Sequence, residues 1–209
     1  MLDQVIDIFK IEVGFDLDIM KKGQDLFDVT SAVLLGMGDV IKESSPDIVL
    51  VQGDTTTSFA AALAAYYHRT PVGHVEAGLR TYDKYSPWPE EINRQMTGRI
   101  ADLHFAPTEW SRNNLIDEGI ENDSVFVTGN TVIDAAQNIL SEIEDNGSNQ
   151  YELSISDSGY EIGTERKFML VTGHRRESFG QGFLDICKAL DRLAAAYPEI
   201  DIVYPVHLN

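Results

Sequence analysis

Residues 47–75 read DIVLVQGDTTTSFAAALAAYYHRTPVGHV, and this stretch decides the fold. Residues 47–53 are a short β-branched run, the pattern of a strand buried on both faces. The Ala-rich stretch 58–68 predicts a helix whose small side chains allow close packing on a sheet. Residues 71–75 predict a second strand. Strand, helix, strand is a βαβ unit, and its two strands run parallel.

The alternation extends in both directions. Upstream, Val29, Val33, Leu34, Met37, Val40 and Ile41 recur at helical spacing over 28–42, and Ser44-Ser45-Pro46 ends the run. Downstream come a helix over 90–99, a strand over 103–106 and a helix with Thr108 at its N-cap that stops near Gly119. A strand over 124–128 and a helix over 131–143 follow. The expected class is α/β, with Rossmann-like parallel sheets carrying helices on both faces.

From about residue 145 to 165 Ser, Gly, Asn and acidic residues dominate and the apolar period is lost, which marks a boundary. A new βαβ unit begins after it: strand 167–172, a polar Gly-containing loop, helix 183–196 and strand 200–206. The expected organisation is an N-terminal domain over 1–150, a linker over 151–165 and the start of a second domain over 166–209. Two strands and one helix cannot bury a core of their own, so the second domain is expected to be incomplete. Met1 opens inside an amphipathic pattern (Leu2, Val5, Ile6, Phe9), so truncation is expected at the N-terminal end as well.

Composition narrows the function. With 34 Asp+Glu against 16 Lys+Arg the net charge is −18, which argues against nucleic acid as a partner because phosphate binding needs cationic patches. The acidity reads as a solvated surface, and in its sharper form as adaptation to a salt-rich cytoplasm where screening removes self-repulsion. No run approaches the ~18 consecutive apolar residues of a membrane span, and the start lacks a signal-peptide pattern. The single cysteine, Cys187, cannot form an internal disulfide; its helical flanks predict a buried structural thiol. These features point to a cytoplasmic protein.

Four segments put polar residues at the C-terminal ends of predicted strands, where open parallel sheets bind ligands. In the first, 52–57, Asp54 and three threonines enter a helix and either cap it or face an anion at its N-terminus. In the second, 73–80, Glu76 directly follows a strand; it is either free for chemistry or in a salt bridge with an arginine, while Gly78 lets backbone approach a ligand. In the third, 86–94, two prolines precede Glu90 and Arg94, which spacing alone reads as a supporting i,i+4 pair. In the fourth, 172–178, His174, Arg175, Arg176 and Ser178 precede a helix and suit a diphosphate, or form a basic loop without a ligand. There is no phosphate loop of the G-x-x-x-x-G-K-[ST] type. Gly36-Met37-Gly38 and Gly180-Gln181-Gly182 each lack the third glycine of a dinucleotide fingerprint, and no His/Cys cluster has zinc spacing.

Taken together, GDTTTSFAAALAAYYHRTPVGHVEAGLRT, YSPWPEEINRQMTGRIADLHFAPTE, VFVTGNTVIDA, TGHRRES and YPVHLN resemble the non-hydrolysing UDP-N-acetylglucosamine 2-epimerase family. The resemblance covers nearly the whole chain and weakens only over 145–165; HVEAGLRT followed by SPWPEE is its specific core. It implies a GT-B-like pair of Rossmann-like domains and an enzyme of polysaccharide biosynthesis that interconverts UDP-GlcNAc and UDP-ManNAc at C2. It further implies elimination and re-addition of UDP through a glycal, with neither metal nor NAD, in a homodimer that some members regulate with UDP-GlcNAc. Asp54, Glu76 and Glu90 carry over as the acid/base carboxylates and Arg94 as their partner. His174 carries over to the catalytic set and, with Arg175, Ser178 and His207, as a contact to UDP or the activator. The family's opening strand and its basic G-T-R-P-E-A-like loop have no counterpart here, so the chain as given is expected to be incomplete for catalysis. A GT-B glycosyltransferase, a hydrolysing 2-epimerase that releases free ManNAc and a non-catalytic nucleotide-binding fragment are the rival readings.

Overall fold

The computed structural model describes residues 2–157, 159–161, 165–173 and 180–205. The chain divides into two compact units, residues 1–135 and 136–209.

In the first unit α1 (Leu2–Phe9) and α2 (Leu26–Ser44) precede four strand–helix steps: β1 (Val49–Gln52), α3 (Thr56–Tyr67), β2 (Val72–Val75), α4 (Glu90–Ile100), β3 (Leu103–Ala106), α5 (Glu109–Asp117), β4 (Val125–Val127) and the start of α6 (Thr131–Asn146). The sheet is parallel throughout, in the order β1-β2-β3-β4. The expected strands and helices are therefore present, with ends shifted by a few residues. The start of α2 lies upstream of the expected one because of a capping box that apolar spacing does not reveal. Asp25 Oδ1 accepts from the Asp28 amide at 2.9 Å, and Asp28 Oδ2 accepts from the Asp25 amide at 3.0 Å.

The helices that supply the core of the first unit, α2, α3 and α5, pack on one side of its sheet. The buried core is on that side. Val51 and Val72 pack with the alanines of α3 and with Val33 and Ile41 of α2, and Ala106 and Val125 pack with Leu115 of α5. Opposite-facing Leu50 is 61% exposed and Phe126 45%. The alanines at 60–62, 64 and 65 are all buried, so α3 can lie close to both β1 and α2.

Gly78 has φ +85, and a Cβ there would lie 2.1 Å from the Ser111 carbonyl oxygen. The close approach that its sequence context suggested is thus to the backbone of α5. This corrects the expectation of a ligand at that position: the absent side chain lets α5 seat against the turn after β2.

In the second unit β5 (Lys167–Leu170) and β6 (Ile200–Val203) pair in parallel, joined by α8 (Gln181–Ala196). Residues 149–157, which carry no apolar period, form the short helix α7 (Asn149–Asp157). The Ser148 carbonyl accepts from the Tyr151 and Glu152 amides at 2.9 and 3.0 Å, starting that helix locally rather than through a buried face. Cys187 is exposed, which corrects the expected buried thiol. No residue of α8 is buried, Cys187 included.

Candidate active site

The site assembles at the C-terminal ends of β1 and β2, with α4 across them. β1 ends at Gln52; Gly53 then turns with φ +71, its amide donating to the Val75 carbonyl at 3.0 Å. That turn delivers Asp54. Thr55, not Asp54, is the N-cap of α3, its Oγ1 accepting from the Ser58 amide at 3.2 Å. Asp54 is free for another partner and finds it on α4, where Arg94 Nη2 lies 2.5 Å from Asp54 Oδ2. Asn93, one residue earlier, donates to the Asp54 carbonyl at 3.0 Å. One turn of α4 thus holds both the backbone and the side chain of Asp54.

Arg94 shows a further correction. The i,i+4 pair with Glu90 expected from spacing is not formed; among the described residues the guanidinium pairs with Asp54 and, at 3.4 Å through Nη1, with Glu91 Oε2. Glu91, Arg94, Thr97 and Gly98 make the buried face of α4, and Glu90 lies at its edge, half-buried. Glu91 is fully buried and accepts from the Thr81 and Tyr82 amides, each at 3.1 Å, and from Gln95 Nε2 at 2.9 Å. Burial would raise its pKa, but these hydrogen bonds outweigh burial and hold it below the usual glutamate value. Sequence reasoning missed Glu91. The signal was present in the i,i+3 spacing to Arg94, which competes with i,i+4 for the same partner.

Glu76 follows β2 with φ +66, a left-handed conformation that costs a non-glycine residue about 1–3 kcal/mol. Its Oε2 would lie 3.8 Å from a Cβ placed on Gly53, so its carboxyl borders the turn that carries Asp54. Among the described residues Glu76 has no ion pair. The arginine near it in sequence, Arg80, is engaged with Glu118 through Nε at 2.7 Å and Nη2 at 2.8 Å. Burial pushes the Glu76 pKa up, the Asp54 charge adds to the rise, and Arg94 opposes it.

Below this layer His74 on β2 and His104 on β3 are buried in register. His74 Nε2 lies 2.8 Å from the Gly53 carbonyl. Burial lowers the pKa of both rings and brings His104 to about 4, so both are neutral. The structure therefore brings together Asp54, Glu76 and Arg94, with Glu90 on the first turn of α4. The other four expected contacts, His174, Arg175, Ser178 and His207, lie outside the described residues.

Two carboxyls on neighbouring strand-end turns and a guanidinium on α4 can move protons and hold an anion. The sequence and the fold that carry this site are shared with known proteins. The family model described as UDP-N-acetylglucosamine 2-epimerase matches residues 1–209. UDP-N-acetylglucosamine 2-epimerase of Yersinia pestis is 54% identical over 211 residues, covering 100% of this chain and 55% of its own. The chain spans about 55% of the length of the curated relatives it matches. The crystal structure of UDP-GlcNAc 2-epimerase from Neisseria meningitidis bound to UDP-GlcNAc superposes with a TM-score of 0.92 at 47% identity, covering 100% of this chain and 55% of its own. An S. aureus MnaA–UDP co-structure superposes with a TM-score of 0.85 at 47% identity, covering 100% and 52%. The α/β architecture of parallel sheets layered by helices is common to these structures. The chain belongs to the UDP-N-acetylglucosamine 2-epimerase family.

Proposed function

We propose that the protein carrying this sequence interconverts UDP-N-acetylglucosamine and UDP-N-acetylmannosamine at C2. The observation that carries this is the pairing of Asp54 with Arg94 beside Glu76, whose carboxyl is shifted toward its protonated form. The C2 proton of the sugar is not α to a carbonyl, so its removal must be coupled to loss of a leaving group. In the reaction we infer, a carboxylate takes the C2 proton while the C1–O bond to UDP breaks, giving a glycal and UDP. The glycal is then protonated at C2 on the opposite face, and the diphosphate oxygen bonds again to C1.

Asp54, Glu76 and Glu90 are the carboxylates we assign to these transfers. Arg94 holds Asp54 in place and balances charge as the diphosphate departs. We assign His174, Arg175, Ser178 and His207 to the UDP moiety or to a regulatory UDP-GlcNAc. The domain organisation we infer is an N-terminal domain over 1–150, a linker over 151–165 and the start of a nucleotide-binding domain over 166–209.

A cytoplasmic homodimer serving polysaccharide biosynthesis, with neither nucleic acid nor membrane as partner, completes the proposal. The −18 charge supports the first exclusion. No helix among the described residues is long and apolar enough to cross a membrane. The outer face of α3 and α4, with Tyr67 66% and Met96 43% exposed, supports self-association.

The test is incubation with UDP-GlcNAc in D₂O without added metal or nicotinamide, at the full length of the relatives. Deuterium is expected at C2. A strict NAD requirement, or label at C4, would overturn the proposal.

A further inference from the structure

His74 lies in β2, one strand over from the Gly53 turn and two residues before Glu76, and it holds the turn that carries Asp54. Gly53 is gripped from two sides. Its amide donates to the Val75 carbonyl at 3.0 Å, and its carbonyl lies 2.8 Å from His74 Nε2. A carbonyl only accepts, so Nε2 must carry the proton and Nδ1 must be the lone pair. Nδ1 is buried and has no partner, so the ring has one hydrogen bond and spends it on this peptide. The next residue is Asp54, whose own carbonyl is fixed by Asn93 and whose carboxylate is fixed by Arg94.

We propose that His74 is a positioning residue. Its Nε2–H sets the Gly53–Asp54 peptide, and through it the place of the Asp54 carboxylate against Arg94 and Glu76. The groups that act on the ring are His104 on β3, Arg80 after β2, Asp54 after β1 and Arg94 on α4. Burial, aided by the cations Arg80 and Arg94, outweighs the Gly53 hydrogen bond and the Asp54 charge and keeps the ring neutral, in the donor form the turn needs. The contribution of this grip to turnover rests on the 2-epimerase proposal; the geometry does not.

The test compares His74→Gln with His74→Asn in the 209-residue chain. A glutamine amide nitrogen reaches about as far as Nε2 and can donate to Gly53, whereas an asparagine amide reaches only as far as Nδ1. The readout is the ¹³C-carboxyl titration of Glu76, assigned with Glu76→Gln, because the Asp54 charge is one cause of its raised pKa. H74N is expected to lower the Glu76 midpoint and H74Q to leave it in place. Equal midpoints in H74N and wild type, with matching amide spectra, would overturn the proposal. Should H74N fail to fold, the ¹⁵N spectrum of the wild-type ring decides. An Nε2-protonated tautomer with a coupling to the Gly53 carbonyl carbon supports it, and an Nδ1-protonated tautomer defeats it.

At the length of the relatives, H74N should lower kcat by roughly 10²-fold with little change in KM, the size of a ~1 Å misplacement, and H74Q should restore most of it. Unchanged kcat in H74N would count against the proposal. A wild-type protein without 2-epimerase activity would sink the functional proposal, and the titration would still decide the role of His74.

Discussion

Arg94 Nη2 binds Asp54 Oδ2 at 2.5 Å and so joins a helix and a strand-end turn that lie 40 residues apart in sequence. The guanidinium is nearly buried, with 11% of its side chain exposed, and Asp54 retains 27%. Arg94→Met should therefore destabilise the chain by roughly 3 kcal/mol or more, because it leaves the fully buried Glu91 without its cation even though water still reaches Asp54. Urea denaturation of the variant and the wild type measures this. The same substitution removes the one charge that opposes the rise in the Glu76 pKa, so the Glu76 titration should move further up. A Glu76 midpoint that stays or falls would mean that Arg94 and Glu76 do not sense each other.

Glu76→Gln should lower kcat at the length of the relatives by roughly 10²–10⁴, the usual size of an acid–base contribution, with little effect on KM. Its effect on stability has the opposite sign. A carboxyl with a raised folded pKa contributes stability below its unfolded value and loses it as pH rises through the folded one. At neutral pH the ionised group is a cost that glutamine does not bear, so E76Q should be slightly more stable than wild type at pH 7 and equal to it near pH 4. Loss of stability at pH 7 would show that Glu76 is a structural anion.

The paired histidines limit acid stability. A histidine with a depressed folded pKa contributes stability above its unfolded value of 6.5 and loses it as pH falls through the folded value, which for His104 is about 4. Charging it adds a proton at the buried Nδ1 that has no acceptor, beside His74. Wild type should lose at most about 3 kcal/mol between these two pH values through His104. His104→Phe, which has no proton to gain, should show a flatter profile over the same window. Denaturant midpoints from pH 7 to 4 compare the two, and parallel profiles would remove His104 as the cause.

Much of this arrangement was legible in the sequence. The β-branched run 47–53 and the Ala-rich helix after it have periods set by burial, and burial is what the fold conserves in each element. Thr108 declared its N-cap, its Oγ1 accepting from the Ser111 amide at 3.1 Å. Partner choice was less legible, because it depends on which way a helix face turns. Arg94 could reach Glu90 or Glu91 by spacing, and only the packing of α4 against β2 selects Glu91 and Asp54. The role of Gly78 was hidden for the same reason, since its neighbour, the Ser111 carbonyl, is distant in sequence. His74 lacked a signal altogether: a histidine inside an apolar strand looks the same whether or not its ring holds a neighbouring turn.

The two adjacent glutamates at the start of α4 offer a direct separation of structure from chemistry. Glu91 is fully buried, accepts three hydrogen bonds and faces Arg94, and its pKa is held down. Its stabilisation is present above the unfolded value of 4.5 and is lost as pH falls through the lowered folded value. Glu91→Gln replaces an oxygen that accepts from backbone N–H groups with an amide that also donates. One donor would then face another donor in a buried site, at a cost of roughly 3 kcal/mol or more. Glu90 is half-buried and has no ion pair among the described residues, so Glu90→Gln should change stability by less than about 0.5 kcal/mol. Turnover should divide the other way. E90Q is expected to remain folded and lose activity at the length of the relatives, whereas E91Q should lose activity in proportion to its loss of fold. An E90Q protein with full activity would remove Glu90 from the acid/base set. It would leave Asp54 and Glu76, the two carboxyls bordering the Gly53 turn, to carry both proton transfers.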